Sequence, residues 1–172
     1  MESGKYPKTW GVGYLVPIHK SDAISNPNNY RGITINSCFS KVFNSILNDR
    51  LVEFLNVNSI MKDEQIGFRK GARTADHIFK LKTLIGKYVQ KNSKLYACFI
   101  DLRKAFDSVV HSALFYNLYN YNINGKCFPH HTSMYSCSVL RVKVNNKLSE
   151  EFMSEVGVKQ GDNLNPLYSK FI

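Results

Sequence analysis

One apolar stretch that runs into two carboxylates most constrains how this chain can fold. Residues 98–109 read CFIDLRKAFDSV, in which Asp101 follows apolar residues and Asp107 follows the aromatic Phe106. An uninterrupted apolar run of this kind is typical of a strand that is covered on both faces. We therefore predict a buried strand over residues 96–100, with Asp101 held in place at its exit.

A second stretch with the character of a functional turn lies about fifty residues further along. Residues 157–167 read GVKQGDNLNPL, in which Gln160 and Gly161 are expected in a turn where glycine permits a close backbone approach.

Asp101 is the residue type that hard Mg²⁺ prefers, and the Leu102 carbonyl is a possible second oxygen ligand. Because the motif around Asp101 is short, this residue as a simple turn cap remains an open alternative.

Periodicity along the chain predicts an α+β fold made of helices and short strands. Strands are predicted at residues 10–20, 30–36 and 139–145, with residues 152–158 pairing with the last of these. Helices are predicted from 37 to about 56, from 74 to 88 and from 112 to 121. The first two strands are expected to form a hairpin with Lys20 and Arg31 near its tip. Residues 127–137 lack paired metal-ligand spacing, so we interpret them as loop and core.

Length and charge point to one domain with a polyanionic partner. The chain has 172 residues and a formal net charge of +10, which favours nucleic acid or an anionic surface. No apolar run reaches membrane-spanning length, and the N-terminus has no apolar signal core. We therefore expect a cytoplasmic or nuclear protein with no membrane partner.

Five ordered segments resemble the reverse transcriptases of non-LTR (LINE-like) retrotransposons. They are WGVGYLVPIHKSD, NYRGITINSCFSKVFNSILNDRL, EQIGFRKGARTADHIFKLK, CFIDLRKAFDSV and GVKQGDNLNPL, and the last two are similar to motifs A and B of that family. The resemblance implies the fingers and part of the palm of a right-hand polymerase with an incomplete palm sheet. Residues 1–94 would be fingers-like and residues 95–172 palm-like. It also implies DNA synthesis from dNTPs with Mg²⁺ on an RNA template and a DNA primer.

The resemblance also implies a role for each candidate site residue. Asp101 would be the catalytic metal ligand together with the Leu102 carbonyl, and Phe106 would stack under the nucleotide sugar. Arg31 and Lys20 would contact the triphosphate, and Gln160 and Gly161 would lie against the nucleotide or template. Residues 67–73, GFRKGAR, form a basic loop that would bind template phosphates through Phe68, Arg69, Lys70 and Arg73. Core packing for Phe106 and a solvated surface for the cations remain the alternatives.

Departures from the family pattern leave the activity open. Asn165 stands where motif B usually has Ser, and no Y-x-D-D turn of motif C follows before Ile172. With Asp101 as the one acidic ligand, we expect weak metal binding and an inactive chain. Three interpretations stay open: a fragment or degenerate copy of such an enzyme, a non-catalytic nucleic-acid-binding module derived from one, and a group II intron-type or telomerase-like relative.

Overall fold

The computed structural model of this chain describes residues 4–62 and 64–168, and they form helices around a mixed sheet. The helices are α1 (Lys8–Gly11), α2 (Cys38–Val57), α3 (Thr74–Gln90), α4 (His111–Asn120), α5 (Phe128–Ser136) and α6 (Asn165–Tyr168). The strands are β1 (Val12–His19), β2 (Tyr30–Asn36), β3 (Val139–Val144), β4 (Lys147–Leu148) and β5 (Phe152–Met153). The α+β class is thus confirmed.

The sheet has the order β2-β1-β3-β4, with β5 also paired to β3. β1 is antiparallel to β2 and parallel to β3, whereas β4 and β5 are antiparallel to β3. Pairing of β1 with β3 ends at Leu15, so Pro17 lies where β1 has only β2 beside it. That position suits proline, which has no N–H to donate to a second neighbour.

The predicted first hairpin is confirmed, and its tip carries the expected cations. Ile18 pairs with Arg31 near the end of the β1–β2 ladder. Beyond that end, the Lys20 N–H donates to the Asn29 carbonyl at 2.8 Å. A second hairpin joins β3 to β4 through Asn145 and Asn146, both at positive φ. Two left-handed residues give the turn the twist that matches the flanking strands.

The core lies between α2, α4, α5 and α6. Its fully or nearly buried apolar side chains include Leu47, Leu51, Leu55, Leu114, Leu118, Met134, Tyr135, Leu164, Leu167 and Tyr168. Helix α2 begins as predicted, because the Ser37 side chain accepts a hydrogen bond from the Ser40 N–H. Its leucines recur at spacings of four, which places them on one face.

The predicted buried strand at residues 96–100 is wrong. These residues have no regular secondary structure, and Tyr96 and Ile100 are 86% and 84% exposed. Strand structure requires a neighbouring strand, and within residues 4–62 and 64–168 none pairs with this segment. Asp101 consequently lies in exposed irregular chain and not at the exit of a buried strand.

Helix α3 begins at Thr74 as predicted, with Arg73 as its N-cap, and none of its residues is buried, although its pattern is amphipathic. Two further predictions need correction. Only Phe152 and Met153 of the predicted strand 152–158 pair with β3, and Val156 instead bridges to Val110. Residues 128–136 form helix α5 and are not loop. Helix formation there was missed because His, Ser and Thr have weak helix propensity, which burial overrides.

Candidate nucleotide and nucleic-acid site

One cavity brings together most of the site residues that the sequence predicts. It has a volume of about 800 Å³ and lies between the β1–β2 hairpin, residues 101–107 and the turn at 160–162. Its lining includes Lys20, Arg31, Phe68, Asp101, Leu102, Phe106, Gln160 and Gly161. These residues come from four separate parts of the sequence, so the tertiary fold assembles the cavity.

Backbone contacts hold the 157–162 turn against both neighbouring segments. The Thr34 N–H at the open edge of β2 donates to the Gln160 carbonyl at 2.8 Å. A Cβ atom on Gly161 would lie 2.9 Å from the Thr34 carbonyl oxygen, and Gly161 has a φ of +106°. Glycine is required here for both reasons, because other residues rarely adopt that φ and their Cβ would clash.

The aromatic Phe106 contributes to both the cavity and the core. It packs against the buried apolar cluster, and its ring meets that of Phe68 edge to face at a centroid distance of 6.4 Å. Phe68 itself has a φ of +55°, which turns the basic loop at this point. The core-packing alternative for Phe106 is therefore present in the fold alongside its position in the cavity.

Three carboxylates line the cavity, and two of them have protein partners. Asp107 accepts a hydrogen bond from the Gln160 amide at 2.8 Å. Asp162 is 6% exposed and accepts from the side-chain amides of Asn44 at 2.6 Å and Asn36 at 3.2 Å. Burial raises the pKa of Asp162, and the hydrogen bonds it accepts oppose that rise. Asp101 and Asp107 are both exposed, and among the described residues Asp101 is the one of the three carboxylates with no hydrogen-bond or ion-pair partner.

Sequence reasoning missed several residues of this cavity. Lys104 and Asp162 both line it, and Lys104 donates from Nζ to the Asn28 side-chain oxygen at 2.9 Å. Lys159 lies just before the Gln-Gly pair and donates to the Gly11 carbonyl at 3.3 Å. Burial lowers the pKa of Lys159, while the Asp162 carboxylate acts in the opposite direction. The Arg103-Lys104 pair was visible as exposed charge, but its contact with residue 28 depends on the fold.

The four candidate nucleic-acid-binding residues lie at different places in the structure. Phe68 lines both the cavity described above and a second cavity of about 840 Å³ beside α2, whereas Arg69 and Lys70 line the second cavity and not the first. Arg73 begins α3, where its N–H donates to the Asp76 carboxylate at 2.8 Å.

The oxygen atoms that line the 800 Å³ cavity are of the type that a hard divalent ion binds, but they are too few for a complete metal site. Asp101 and the Leu102 segment line it, and carboxylate and carbonyl oxygens are the ligands that Mg²⁺ takes. Across residues 4–62 and 64–168, no group of three or more His, Cys, Asp or Glu side chains is placed to hold a metal. Nor does that part of the chain contain a helix long and apolar enough to cross a membrane.

A mixed sheet beside a cavity lined by four cationic residues is an arrangement suited to a phosphate-bearing ligand. Comparison with known proteins makes the class specific. Residues 18–172 match the reverse transcriptase (RNA-dependent DNA polymerase) family. The chain belongs to this family.

Relatives of the chain are encoded by mobile elements of insects. It is 31% identical to a probable RNA-directed DNA polymerase from transposon BS of Drosophila melanogaster, over 96% of this chain and 18% of that protein. It is 28% identical to the Pol polyprotein of the type-1 retrotransposable element R2 of Popillia japonica, over 95% and 22%. For the jockey polymerase of Drosophila melanogaster the identity is 24%, over 99% and 19%. These relatives support the LINE-like assignment.

The chain spans about a fifth of the length of these relatives. It therefore corresponds to one part of an RNA-directed DNA polymerase of this kind.

Proposed function

We propose that the 800 Å³ cavity is the site where an incoming deoxynucleoside triphosphate meets an RNA template, as part of RNA-directed DNA synthesis. The observation that carries this proposal is the convergence of Arg31, Asp101, Phe106 and Gln160 on one cavity. Family membership supports the reaction, and the cavity supports the placement of its substrate. The third interpretation, a group II intron-type or telomerase-like relative, is less favoured because the relatives reported above come from mobile elements.

Electrostatics of the cavity suit a triphosphate. Its lining has four cationic residues, Lys20, Arg31, Arg103 and Lys104, against three carboxylates, two of which have partners in the protein. Arg31 and Lys20 bind phosphate oxygens, for which the planar guanidinium of arginine is well shaped. Phe106 supports the sugar from the floor of the cavity, and Gln160 and Gly161 border the base or template.

Magnesium is the ion we propose for this site. Asp101 and the Leu102 carbonyl would hold it, and the ion would neutralise charge on the reacting phosphates. Because the other two carboxylates that line the cavity are hydrogen-bonded to side-chain amides, the affinity of this chain for Mg²⁺ is expected to be low. The role of the protein residues is to position the triphosphate and the template and to hold them away from water.

The basic loop supplies contacts to the nucleic acid. Arg69 and Lys70 lie together beside α2, and Phe68 reaches the nucleotide cavity. Cations bind the template and primer phosphates, while Phe68 offers a ring on which a base stacks. Arg73 lies at the start of α3 and continues the positive surface.

Residues 1–94 act as fingers and residues 95–172 act as palm in this proposal. The parallel pairing of β1 with β3 joins these two regions in one sheet.

Titration of the chain with a deoxynucleoside triphosphate and Mg²⁺, followed by calorimetry, tests this proposal. Arg31→Ala should weaken nucleotide binding about tenfold, because one charge-assisted contact to phosphate is lost. Arg31→Lys keeps the charge and should lose less. Arg50→Ala, on the exposed side of α2, is the matched control. Equal affinities for all four proteins would refute the nucleotide site.

A non-catalytic nucleic-acid-binding module is the second candidate. It is favoured by the hydrogen bonds that occupy two of the three carboxylates lining the cavity and by the net charge of +10. Under this alternative the chain would bind RNA in a salt-dependent way while showing no affinity for the nucleotide, with or without Mg²⁺. The same calorimetric titration therefore separates the two candidates.

A further inference from the structure

The geometry points to Asp107 as a positioning residue that fixes the orientation of the Gln160 amide in the cavity. This inference rests on the proposed function of that cavity and deepens it. The Gln160 Nε2 atom donates to the Asp107 Oδ1 atom at 2.8 Å, across 53 positions of sequence. Both side chains line the cavity.

Backbone pairing brings the two residues together. The Val158 N–H donates to the Phe106 carbonyl and the Gly157 N–H donates to the Val109 carbonyl, both at 2.8 Å. Gly157 allows this approach, because a Cβ atom there would lie 3.0 Å from the Asp107 carbonyl oxygen. Two backbone hydrogen bonds thus fix the segment after Asp101 to the residues that lead into the Gln-Gly turn, close to the Asp107–Gln160 contact.

The chemistry of the pair permits one amide orientation. An ionised carboxylate only accepts hydrogen bonds, whereas a glutamine amide has donors on nitrogen and acceptor sites on oxygen. The nitrogen must therefore face Asp107, since the flipped amide would place its oxygen against a negative charge. A hydrogen bond to a charged acceptor is also about twice as strong as a neutral one.

A fixed amide limits what Gln160 can recognise. One of the two Nε2 hydrogens is used by Asp107, so the Oε1 acceptor and one remaining hydrogen are left in a defined arrangement. A ligand in the cavity that offers a hydrogen-bond donor to Oε1 meets a group that is already oriented. Without Asp107 the amide could rotate, and part of the binding free energy would be used to order it.

Two-dimensional NMR of the ¹⁵N-labelled chain tests the orientation directly. The two Gln160 amide protons should be further apart in chemical shift than those of an exposed glutamine and should exchange slowly with water, because one of them is bound to a carboxylate. Their signals are identified by their disappearance in Gln160→Ala. Asp107→Asn should reduce the separation to that of an exposed glutamine, Asp107→Glu should largely preserve the wide separation, and Asp49→Asn, on the surface of α2, should change nothing.

The same proteins are then titrated with a deoxynucleoside triphosphate. Asp107→Asn should weaken binding about five- to tenfold, the loss expected for one oriented hydrogen bond, and Asp107→Glu should restore most of it. Wild-type Gln160 protons that behave like those of a solvent-exposed glutamine would overturn the proposal without any variant. A separation wider than that of an exposed glutamine, in a protein that binds no nucleotide, would support the orienting contact and refute the nucleotide site. Unchanged nucleotide affinity in a folded Asp107→Asn variant would overturn the role in positioning.

Discussion

Asn44 of α2 donates a hydrogen bond to the carboxylate of Asp162 across 2.6 Å, although 118 residues separate them in sequence. Both side chains are buried. The contact joins the core helix to the turn that carries Gln160 and Gly161, and Asn36 of β2 adds a second amide to the same carboxylate oxygen. The buried Asp162 carboxylate and its two amide partners therefore hold this turn, which lines the cavity, against α2 and β2.

Replacing Asn44 should destabilise the whole domain. Asn44→Ala leaves a buried carboxylate short of its shortest hydrogen bond, and we expect a loss of about 2 to 4 kcal/mol in the free energy of unfolding. Asn48→Ala removes the same side chain one turn later on α2, where it is half-buried, and should cost well under half as much. Urea denaturation of the two variants measures the difference, and equal losses would contradict this account.

Acid should weaken the fold through His131. Burial, with a smaller contribution from neighbouring His130, lowers the pKa of His131 to about 4. The unfolded chain binds this proton near pH 6.5, so it holds more protons than the folded chain between pH 6.5 and 4. The stability that the fold gains from keeping His131 neutral is fully present above pH 6.5, and it is lost as the pH falls from 6.5 to 4. At pH 4 the loss should reach about 2 to 3 kcal/mol.

Unfolding measured against pH in the His131→Gln variant checks this prediction. The variant should show a smaller decline between pH 6.5 and 4 than the wild type, whatever its stability at neutral pH. His77→Gln removes an exposed imidazole on α3 and is the control. A decline in His131→Gln as steep as that of the wild type would exclude His131 as its cause.

A side chain at residue 161 should separate the turn from β2. Gly161→Ala combines a φ of +106° with a Cβ atom 2.9 Å from the Thr34 carbonyl oxygen. We expect a loss of about 2 to 3 kcal/mol in stability and weaker protection of the Thr34 amide. Gly67→Ala, at a position with no atom within 4 Å of the added Cβ, is the matched control. Hydrogen exchange together with denaturation measures both effects, and a stable Gly161→Ala would be inconsistent with this close approach.

Binding to nucleic acid should depend strongly on salt. Replacing Arg69, Lys70 and Arg73 by Ala should reduce the slope of log affinity against log salt by about two to three on the counterion-release estimate. The control replaces Lys126, Lys143 and Lys147, which removes the same charge from other surfaces. Fluorescence anisotropy with single-stranded RNA gives both slopes. Equal reductions in the two triple variants would mean that net charge, and not this loop, determines binding.

Magnesium should bind weakly and through Asp101. With Asp107 and Asp162 hydrogen-bonded to side-chain amides, Asp101 is the carboxylate left to bind the ion, which predicts a Kd of about 1 mM or higher, equivalent to roughly −4 kcal/mol. Calorimetry on the wild type, Asp101→Ala and the surface control Asp49→Ala measures this. Micromolar affinity that disappears in Asp101→Ala would show that further oxygen ligands complete the site.

Elements whose signals are local could be predicted from the sequence. Helix α2 and the β1–β2 hairpin follow from side-chain period, capping and turn chemistry, which act over a few residues. The family and the five segments that mark it were also readable, because their order along the chain is specific. Confirmation of the family came from the match over residues 18–172.

Tertiary structure decided the rest, because the deciding contacts join distant residues. Residues 96–100 have the composition of a strand, but a strand forms only where another strand pairs with it, and composition cannot supply that partner. The buried Asn44–Asp162 contact and the Asp107–Gln160 contact link positions that are 118 and 53 residues apart. No local pattern marks Asp162 as a buried charge or Asp107 as the partner of a glutamine, since both roles depend on which segments the fold brings together.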